Sequence, residues 1–425
     1  MHERRIIGLD LGIASEHTAR ILTGDGTLVA KRRAVPTVES LERLEQVALD
    51  GAPSGTAIEV VMEPTGPAWL PIAVFFSSRG HQVFRVSSAK ASDLRKFLSH
   101  HAKSNGIDAD TLARLAIIDR RNLLPLELRS ADEAALDRRV RACDRLTRQA
   151  AEHKVRIKDL IPQLYPMTPL TGNLGAADLA VLERWADPRD LAKAGRARLG
   201  KVIATASRGQ QKAPRVAEWL DAATQSIELY GDHPAVAFAE LAAEVRTEVR
   251  LLQAIQAELA QHEGAREVSY RSVDPEELAR SLPGIKETSG PVLVATMGRA
   301  QRFPTAAHFR SFTGLAPKPS ETGNTDRKGQ PMSKAGSSML RTMLVRAADT
   351  ARKQDPQLAR IYYVQMAERG KTHLGATCVV AAHLAGRAWQ VMHRESPYVL
   401  RDIDGTRLPK KRQRPSSRTA TTSTN

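Results

Sequence analysis

The stretch Ile6-Ile7-Gly8-Leu9-Asp10-Leu11-Gly12 decides how this chain folds. It is a short apolar run that ends on an acid and a glycine, the pattern of a buried strand leaving a sheet. Thr18 to Leu22 and Thr27 to Arg32 follow, flanking Thr23-Gly24-Asp25-Gly26, turn chemistry that joins hairpin strands. The period then changes: Val38, Leu41, Leu44, Val47 and Ala48 fall at helical spacing within 38–49. Ile58 to Met62 is a second buried-type run and closes on Glu63-Pro64-Thr65-Gly66. A helical stretch, Trp69 to Ser78, precedes Gly80 and a strand from Gln82 to Val86. Hairpin strands first and strand–helix alternation afterwards predict an α/β domain with a mixed sheet.

Downstream the chain reads as mainly α. Ala131 to Leu164 is a long Arg-rich helix with Leu136, Val140, Cys143, Leu146, Ala150 and Ile157 on one stripe, ended by Pro162 and Pro166. Residues 167–230 are mixed and contain a basic, glycine-bearing stretch from Ala192 to Lys212. Ala235 to His262 is a second long helix, with Phe238, Leu241, Val245, Val249, Leu252, Ile255 and Leu259 three or four apart. That spacing serves a coiled-coil seam or a helix packed inside its own domain. A short helix from Asp274 to Leu282, the turn Leu282-Pro283-Gly284-Ile285 and an apolar helix from Gly290 to Met297 complete the pattern. From Lys410 the tail has charge and hydroxyls but nothing to bury, so disorder is expected.

Composition narrows the function classes. The 425 residues carry a net charge of +16, and 27 Lys and Arg against 13 Asp and Glu from Arg266 onward account for +14 of it. A basic C-terminal part points to a polyanion, above all nucleic acid. Two distant cysteines, Cys143 and Cys378, exclude a disulfide scaffold. No apolar run is long enough to span a bilayer, and the N-terminus lacks a signal core. A cytosolic protein with reduced thiols and no membrane partner is expected.

Three constellations carry candidate chemistry. The first is acidic: Asp10 and Glu63 at the ends of two strands, where open α/β sheets place their sites, and Asp108 and Asp110 in a cluster that enters a helical stretch expected over Thr111 to Ile118. Carboxylates converging from separate elements suit Mg²⁺, a hard cation that aids phosphodiester cleavage. Turns and helix caps use the same residues. The second is Pro283-Gly284, a turn before a helix whose N–H groups could hold a phosphate, or an ordinary interhelical turn. The third spans residues 314–341, where Lys318, Arg327, Lys328, Lys334 and Arg341 mingle with Ser320, Thr322 and other hydroxyls in a glycine-bearing loop expected to be flexible. Cations beside a hydroxyl suit nucleophilic attack on a phosphodiester, or plain phosphate binding.

In this order the blocks IIGLDLG, VVMEPTG, KSNGIDADTLARLA, LPGIKETSGPVLVATMG, RFPTAAHFRSFTGLAP and TGNTDRKGQPMSKAGSSMLR resemble one family. It is that of the insertion-sequence transposases with an Asp-Glu-Asp-Asp RuvC-like domain and a C-terminal catalytic-serine domain. The resemblance covers roughly Ile6 to Arg394. It implies an RNase H-like (RuvC-like) metal-binding domain over 1–165, with 131–165 as its helical end. A linker and coiled-coil helices would occupy 166–265, a helical transposase domain 266–400, and a basic tail 401–425. It also implies a bacterial, nucleoid-associated DNA recombinase acting on element ends and target. A structured noncoding guide RNA and a homo-tetramer would be its other partners.

Residue by residue, the resemblance makes Asp10, Glu63 and Asp108 Mg²⁺ ligands. Asn105 stands where the family has its third acid, and Asp110 is a substitute. The serine position falls on Thr322, followed by Gly323, with Ser320 as the alternative nucleophile. Lys103, Pro283, Gly284, Lys318, Gly323, Arg327, Lys328, Lys334 and Arg341 are the expected nucleic-acid contacts. Two rivals remain at this level. One is an actin-like-fold sugar kinase, suggested by GLDLG and a hairpin. The other is a nucleic-acid-binding descendant disabled at Asn105 and Thr322.

Overall fold

A computed structural model of the chain describes residues 4–64, 66–98, 104–170, 172, 174–211, 213–231, 233, 235–318, 321–322, 325–326 and 330–409. The chain divides into two compact units, 1–129 and 130–425.

In the first unit, strands β1 (Arg4–Asp10), β2 (His17–Thr23) and β3 (Leu28–Ala34) precede helix α1 (Val38–Leu49). Strand β4 (Ala57–Met62), α2 (Trp69–Ser78), β5 (Gln82–Arg85), α3 (Ser88–Leu98) and α4 (Asn105–Ile118) follow. The sheet runs β3-β2-β1-β4-β5; β2 is antiparallel to both neighbours, while β1, β4 and β5 are parallel. Strand side chains alternate between faces. Ile7 and Leu9 therefore join Ile21, Val60, Leu41, Leu44, Ile72 and Phe76 on one side. Ile6 joins Leu22, Val61, Phe84 and the α4 residues Leu112, Ala113 and Ala116 on the other. Burying each Ile, Leu or Phe contributes roughly 1.5–3 kcal/mol, so a one-residue slip of β1 would forfeit both faces. The edge strand β3 exposes Lys31, Arg32 and Arg33, charges that discourage pairing with another chain.

One glycine sets how closely α4 approaches this sheet. A Cβ on Gly8 would lie 2.0 Å from the Ala109 carbonyl oxygen and 2.5 Å from the Ala113 nitrogen. Only a bare backbone admits α4 at this depth.

The second unit opens with α5 (Ala131–Leu164), capped reciprocally by Ser130 and Glu133. The helix ends at Leu164 as its pattern predicts, passing through Pro162 on the way. Residues 167–230, expected to be mixed, contain α6 (Ala176–Trp185), α7 (Pro188–Ala206) and α8 (Ala213–Tyr230). Helix α9 (Phe238–Val273) extends beyond His262 because Arg266 and Tyr270 keep its buried stripe going. It packs antiparallel to α5: Ser272 Oγ donates to Asp132 Oδ2 at 2.6 Å, and His153 meets Glu248 at 2.5 Å. One end of the pair joins α6–α8 around Tyr165 and Trp219.

The other end joins a helical group comprising α10 (Ser289–Met297), α11 (Ala306–Thr313), α12 (Ser338–Ala351), α13 (Pro356–Tyr363) and α14 (His373–Arg394). The short helix expected over 274–282 is only a 3-10 turn, Ala279–Ser281. The buried Asp274 carboxylate accepts the amides of Leu278 and Ala279, which captures backbone that a helix would need. Two short strands, β6 (Glu321–Thr322) and β7 (Thr325–Asp326), pair between α11 and α12. Cys143 and Cys378 are both free thiols. Among the described residues no helix is long and apolar enough to cross a membrane. The tail from Lys410 lies outside the described residues.

Candidate active site

Parallel pairing brings two of the acids together. β1 and β4 are in register at Leu9 and Met62, so Asp10 and Glu63 leave the sheet side by side at its C-terminal edge. Helix α4, seated on Gly8, adds the next two. The Ser104 hydroxyl accepts the Ile107 amide at 3.3 Å and starts the helix at Asn105. Asn105 and Asp108, three residues apart, then share a face. Asp10, Glu63, Asn105 and Asp108 line one cavity of about 450 Å³.

The remaining wall comes from α3. Ser88, Ser92 and Arg95 line the same cavity, and their i, i+4, i+7 spacing was a legible signal that the sequence reading missed. Arg95 Nη1 donates to Asp108 Oδ1 at 2.8 Å. The hydrogen bond and charge of Asp108, with a further pull from Glu63, hold the guanidinium above its ordinary pKa. A fixed cation therefore sits inside the acidic cavity.

Behind the cavity, His17 fixes the loop that follows Asp10. The Gly12 amide donates to its Nδ1 at 3.2 Å, and the ring is 2% exposed. Burial pushes the imidazole pKa down, so the ring is neutral with its proton on Nε2, an atom with no partner among the described residues.

Asp110 does not line the cavity. It lies two positions beyond Asp108, about 200° around the helix, and pairs with Arg114 at 2.7 Å. The lining donors are carboxylate, amide and hydroxyl oxygens, the donor set that Mg²⁺ prefers. Among the described residues, however, no three His, Cys, Asp or Glu side chains are gathered closely enough to hold one ion. The set fits the ion in kind, with Arg95 occupying one carboxylate.

In the second unit, the described residues of the 314–341 stretch, expected to form a flexible loop, pair along their backbones as an arm. Lys318 N donates to Pro331 O at 2.9 Å, Ser333 N to Ala316 O at 2.8 Å, and Lys334 N to Gly314 O at 3.1 Å. The backbones of Thr322 and Thr325 pair near the tip. Lys318 and Lys334 are exposed along this arm. Arg341 instead braces its base: the guanidinium donates to the carbonyls of Lys334, at 3.1 Å, and Thr313. Lys103, Ser320, Gly323, Arg327 and Lys328 lie outside the described residues.

The Pro283-Gly284 turn is occupied by the protein itself. Gly284 donates its amide to Gln354 Oε1 at 3.0 Å, and a Cβ there would lie 2.3 Å from the Ala347 carbonyl oxygen. Pro283 is buried. This is an interhelical turn in the core, so the Gly284 amide is not free to hold a phosphate.

Comparison with known proteins fits this architecture. Residues 7–166 match the DEDD transposase family of IS110, and residues 276–363 match a family described as Transposase IS116/IS110/IS902. The first match takes in α5, which folds with the second unit. A 43.6 kDa protein of insertion element IS110 from Streptomyces coelicolor is 30% identical over 87% of this chain and 89% of its own length. A 42 kDa protein of insertion element IS900 from Mycobacterium paratuberculosis is 23% identical over 92% of this chain and 96% of its own. A probable family 20 transposase of Pseudomonas aeruginosa is 30% identical over 37% of this chain and 46% of its own.

The class is thus an insertion-sequence DNA transposase. Within it, the chain belongs to the IS116/IS110/IS902 family. That membership removes the sugar-kinase alternative.

Proposed function

We propose that the chain cuts and rejoins element-end and target DNA from an RNase H-like centre built on Asp10, Glu63 and Asp108. The carrying observation is the convergence of these acids and Asn105 on one cavity from β1, β4 and α4. The strand order, with an antiparallel hairpin followed by parallel strands, favours the RNase H-like reading. Bound there, Mg²⁺ would stabilise the charge on the attacking and leaving phosphate oxygens. Asp10, Glu63 and Asp108 would hold it once drawn closer than they stand here and with Asp108 released from Arg95, Asn105 would add a neutral oxygen, and Ser88 and Ser92 would hydrogen-bond the ligands or the DNA backbone.

In this reading the hydroxyl of Thr322, or that of Ser320, attacks a DNA phosphorus and releases a DNA hydroxyl, leaving a phosphoester on the protein. Lys318 and Lys334 on the arm, with Arg327 and Lys328 nearby in sequence, suit the charge that develops. A structured noncoding RNA as guide and a homo-tetramer are part of the same proposal, supported by the family resemblance. The exposed Val155 and Val268 on the α5–α9 pair are consistent with self-association.

The test is incubation with Mg²⁺ and element-end DNA. A covalent protein–DNA adduct mapping to Thr322 or Ser320 supports the recombinase. A second reading, a binding descendant that no longer cuts, is favoured by Asn105 and by the Arg95–Asp108 pair. DNA retention without any adduct would establish that reading and overturn the first.

A further inference from the structure

Helix α7 carries an unusual surface. From Leu191 to Ala217 the chain has seven Lys and Arg and no Asp or Glu. Solvated surfaces ordinarily intersperse both signs. One of the seven, Arg215, is consumed by Asp178 and Glu218, each at 2.6 Å. Lys193, Arg196, Arg198, Lys201 and Arg208 are exposed and form no ion pair among the described residues.

The fold holds these cations in place. Leu191, Leu199 and Ile203 of α7 are buried in the core around Trp219, and Val202 beside them is also buried. The axis breaks at Gly195 (φ 76°, ψ 166°), and a new run of helix starts at Arg196. In that run Arg198 and Lys201 lie away from the buried Leu199, Val202 and Ile203, on a face shared with the exposed Ala197, Ala204 and Thr205. Arg196 stands at its first turn, and Arg208 follows its last. The result is a low-relief basic ridge fixed to a packed helix. Such a ridge suits a phosphodiester backbone, where cations neutralise phosphates without reading bases. An acidic peptide would be expected to meet exposed apolar side chains beside the charge, and among the described residues of α7 no large apolar side chain is exposed. The ridge lies between the two family-matched segments, 7–166 and 276–363.

We propose that the α7 face is a sequence-independent binding site for a duplex phosphodiester backbone, separate from the acidic cavity and from the 314–341 arm. The proposal rests on the transposase reading, because it supplies the nucleic acid. Its ligand chemistry, a phosphate ladder, is shared by DNA and structured RNA.

The experiment measures affinity of the full-length chain for a 30-bp DNA duplex and a 30-bp RNA hairpin across a salt series. It compares wild type, Arg198→Glu/Lys201→Glu and the milder Arg198→Gln/Lys201→Gln. Arg43→Gln/Arg148→Gln serves as control, since those cations already pair with Glu39 and Asp144. The charge reversal is expected to weaken binding about tenfold or more and to flatten the logarithmic salt dependence by roughly two, with a smaller loss for the Gln pair. Loss on the DNA, the RNA or both supports the site and identifies the backbone it holds. Circular-dichroism melts of each variant exclude unfolding, which these exposed positions are not expected to cause. Unchanged affinity and slope on both probes, or an equal loss in the control, overturns the proposal and leaves the transposase reading standing. A wild-type chain that binds neither probe overturns both.

Discussion

Gly8 of β1 and Ala109 of α4 are in backbone contact: the Ala109 carbonyl oxygen occupies the space a Gly8 Cβ would need. Asp10 lies two residues beyond one partner, and Asp108 immediately precedes the other. This contact therefore sets the separation of two acids more than 90 residues apart in the chain. Gly8→Val is expected to lift α4, costing about 2–3 kcal/mol and lowering the melting temperature by roughly 5–10 °C. Differential scanning calorimetry of the variant checks it; an unchanged melt would mean that α4 does not sit on β1.

Asp10→Ala and Glu63→Ala are expected to abolish strand exchange while leaving nucleic-acid affinity within about threefold of wild type. Both stand at the sheet edge, where they can hold ligands without supporting the core. Strand-exchange assays paired with anisotropy measurements separate the two effects. Full recombination by either variant would refute their role.

Arg95 competes for Asp108. Arg95→Gln is expected to tighten Mn²⁺ binding roughly threefold in the absence of nucleic acid, because an ion pair no longer offsets the carboxylates. Paramagnetic resonance titration reads this directly. Weaker Mn²⁺ binding by the variant would show that the arginine supports the cavity rather than blocking it.

His17 is buried neutral, with its pKa below the ordinary 6.5. The unfolded chain therefore binds a proton more readily than the folded one, and stability falls as pH drops through 6.5 toward the lowered value. Above 6.5 this group contributes no slope. Urea melts at pH 7.5 and 5.5 are expected to show the first unit weakening at the acid end. His17→Gln, which can still accept the Gly12 amide, is expected to flatten that difference.

Asp355 is 1% exposed and accepts Arg387 Nη1 at 2.8 Å and the Tyr398 hydroxyl at 2.5 Å. Arg387→Met leaves this carboxylate without its cation. The expected cost is about 3–5 kcal/mol, measured by chemical denaturation of the second unit. A loss under about 1 kcal/mol would mean that Tyr398 and the Leu358 amide suffice.

Much of this molecule follows from local pattern. Period-two and period-3.6 spacing marks β1, α1, β4 and α5 because each buries a face, and burial is periodic in sequence. The acids at strand ends are visible for the same reason. The helix start was less legible: the pattern marks a helix only from Thr111, whereas the Ser104 cap starts it at Asn105, which puts Asn105 and Asp108 on one face and turns Asp110 away.

Only the tertiary structure decided the rest. Arg95 enters the cavity because α3 crosses near α4, and no single-element pattern encodes that crossing. His17 is a site-supporting residue because β2 folds back along β1. Arg341 and Gly284 look like phosphate ligands in sequence. Packing satisfies their polar groups with the Lys334 carbonyl and the Gln354 side chain. A polar group's partner is set by whatever the fold brings within about 3 Å, and that distance is a property of the assembled chain.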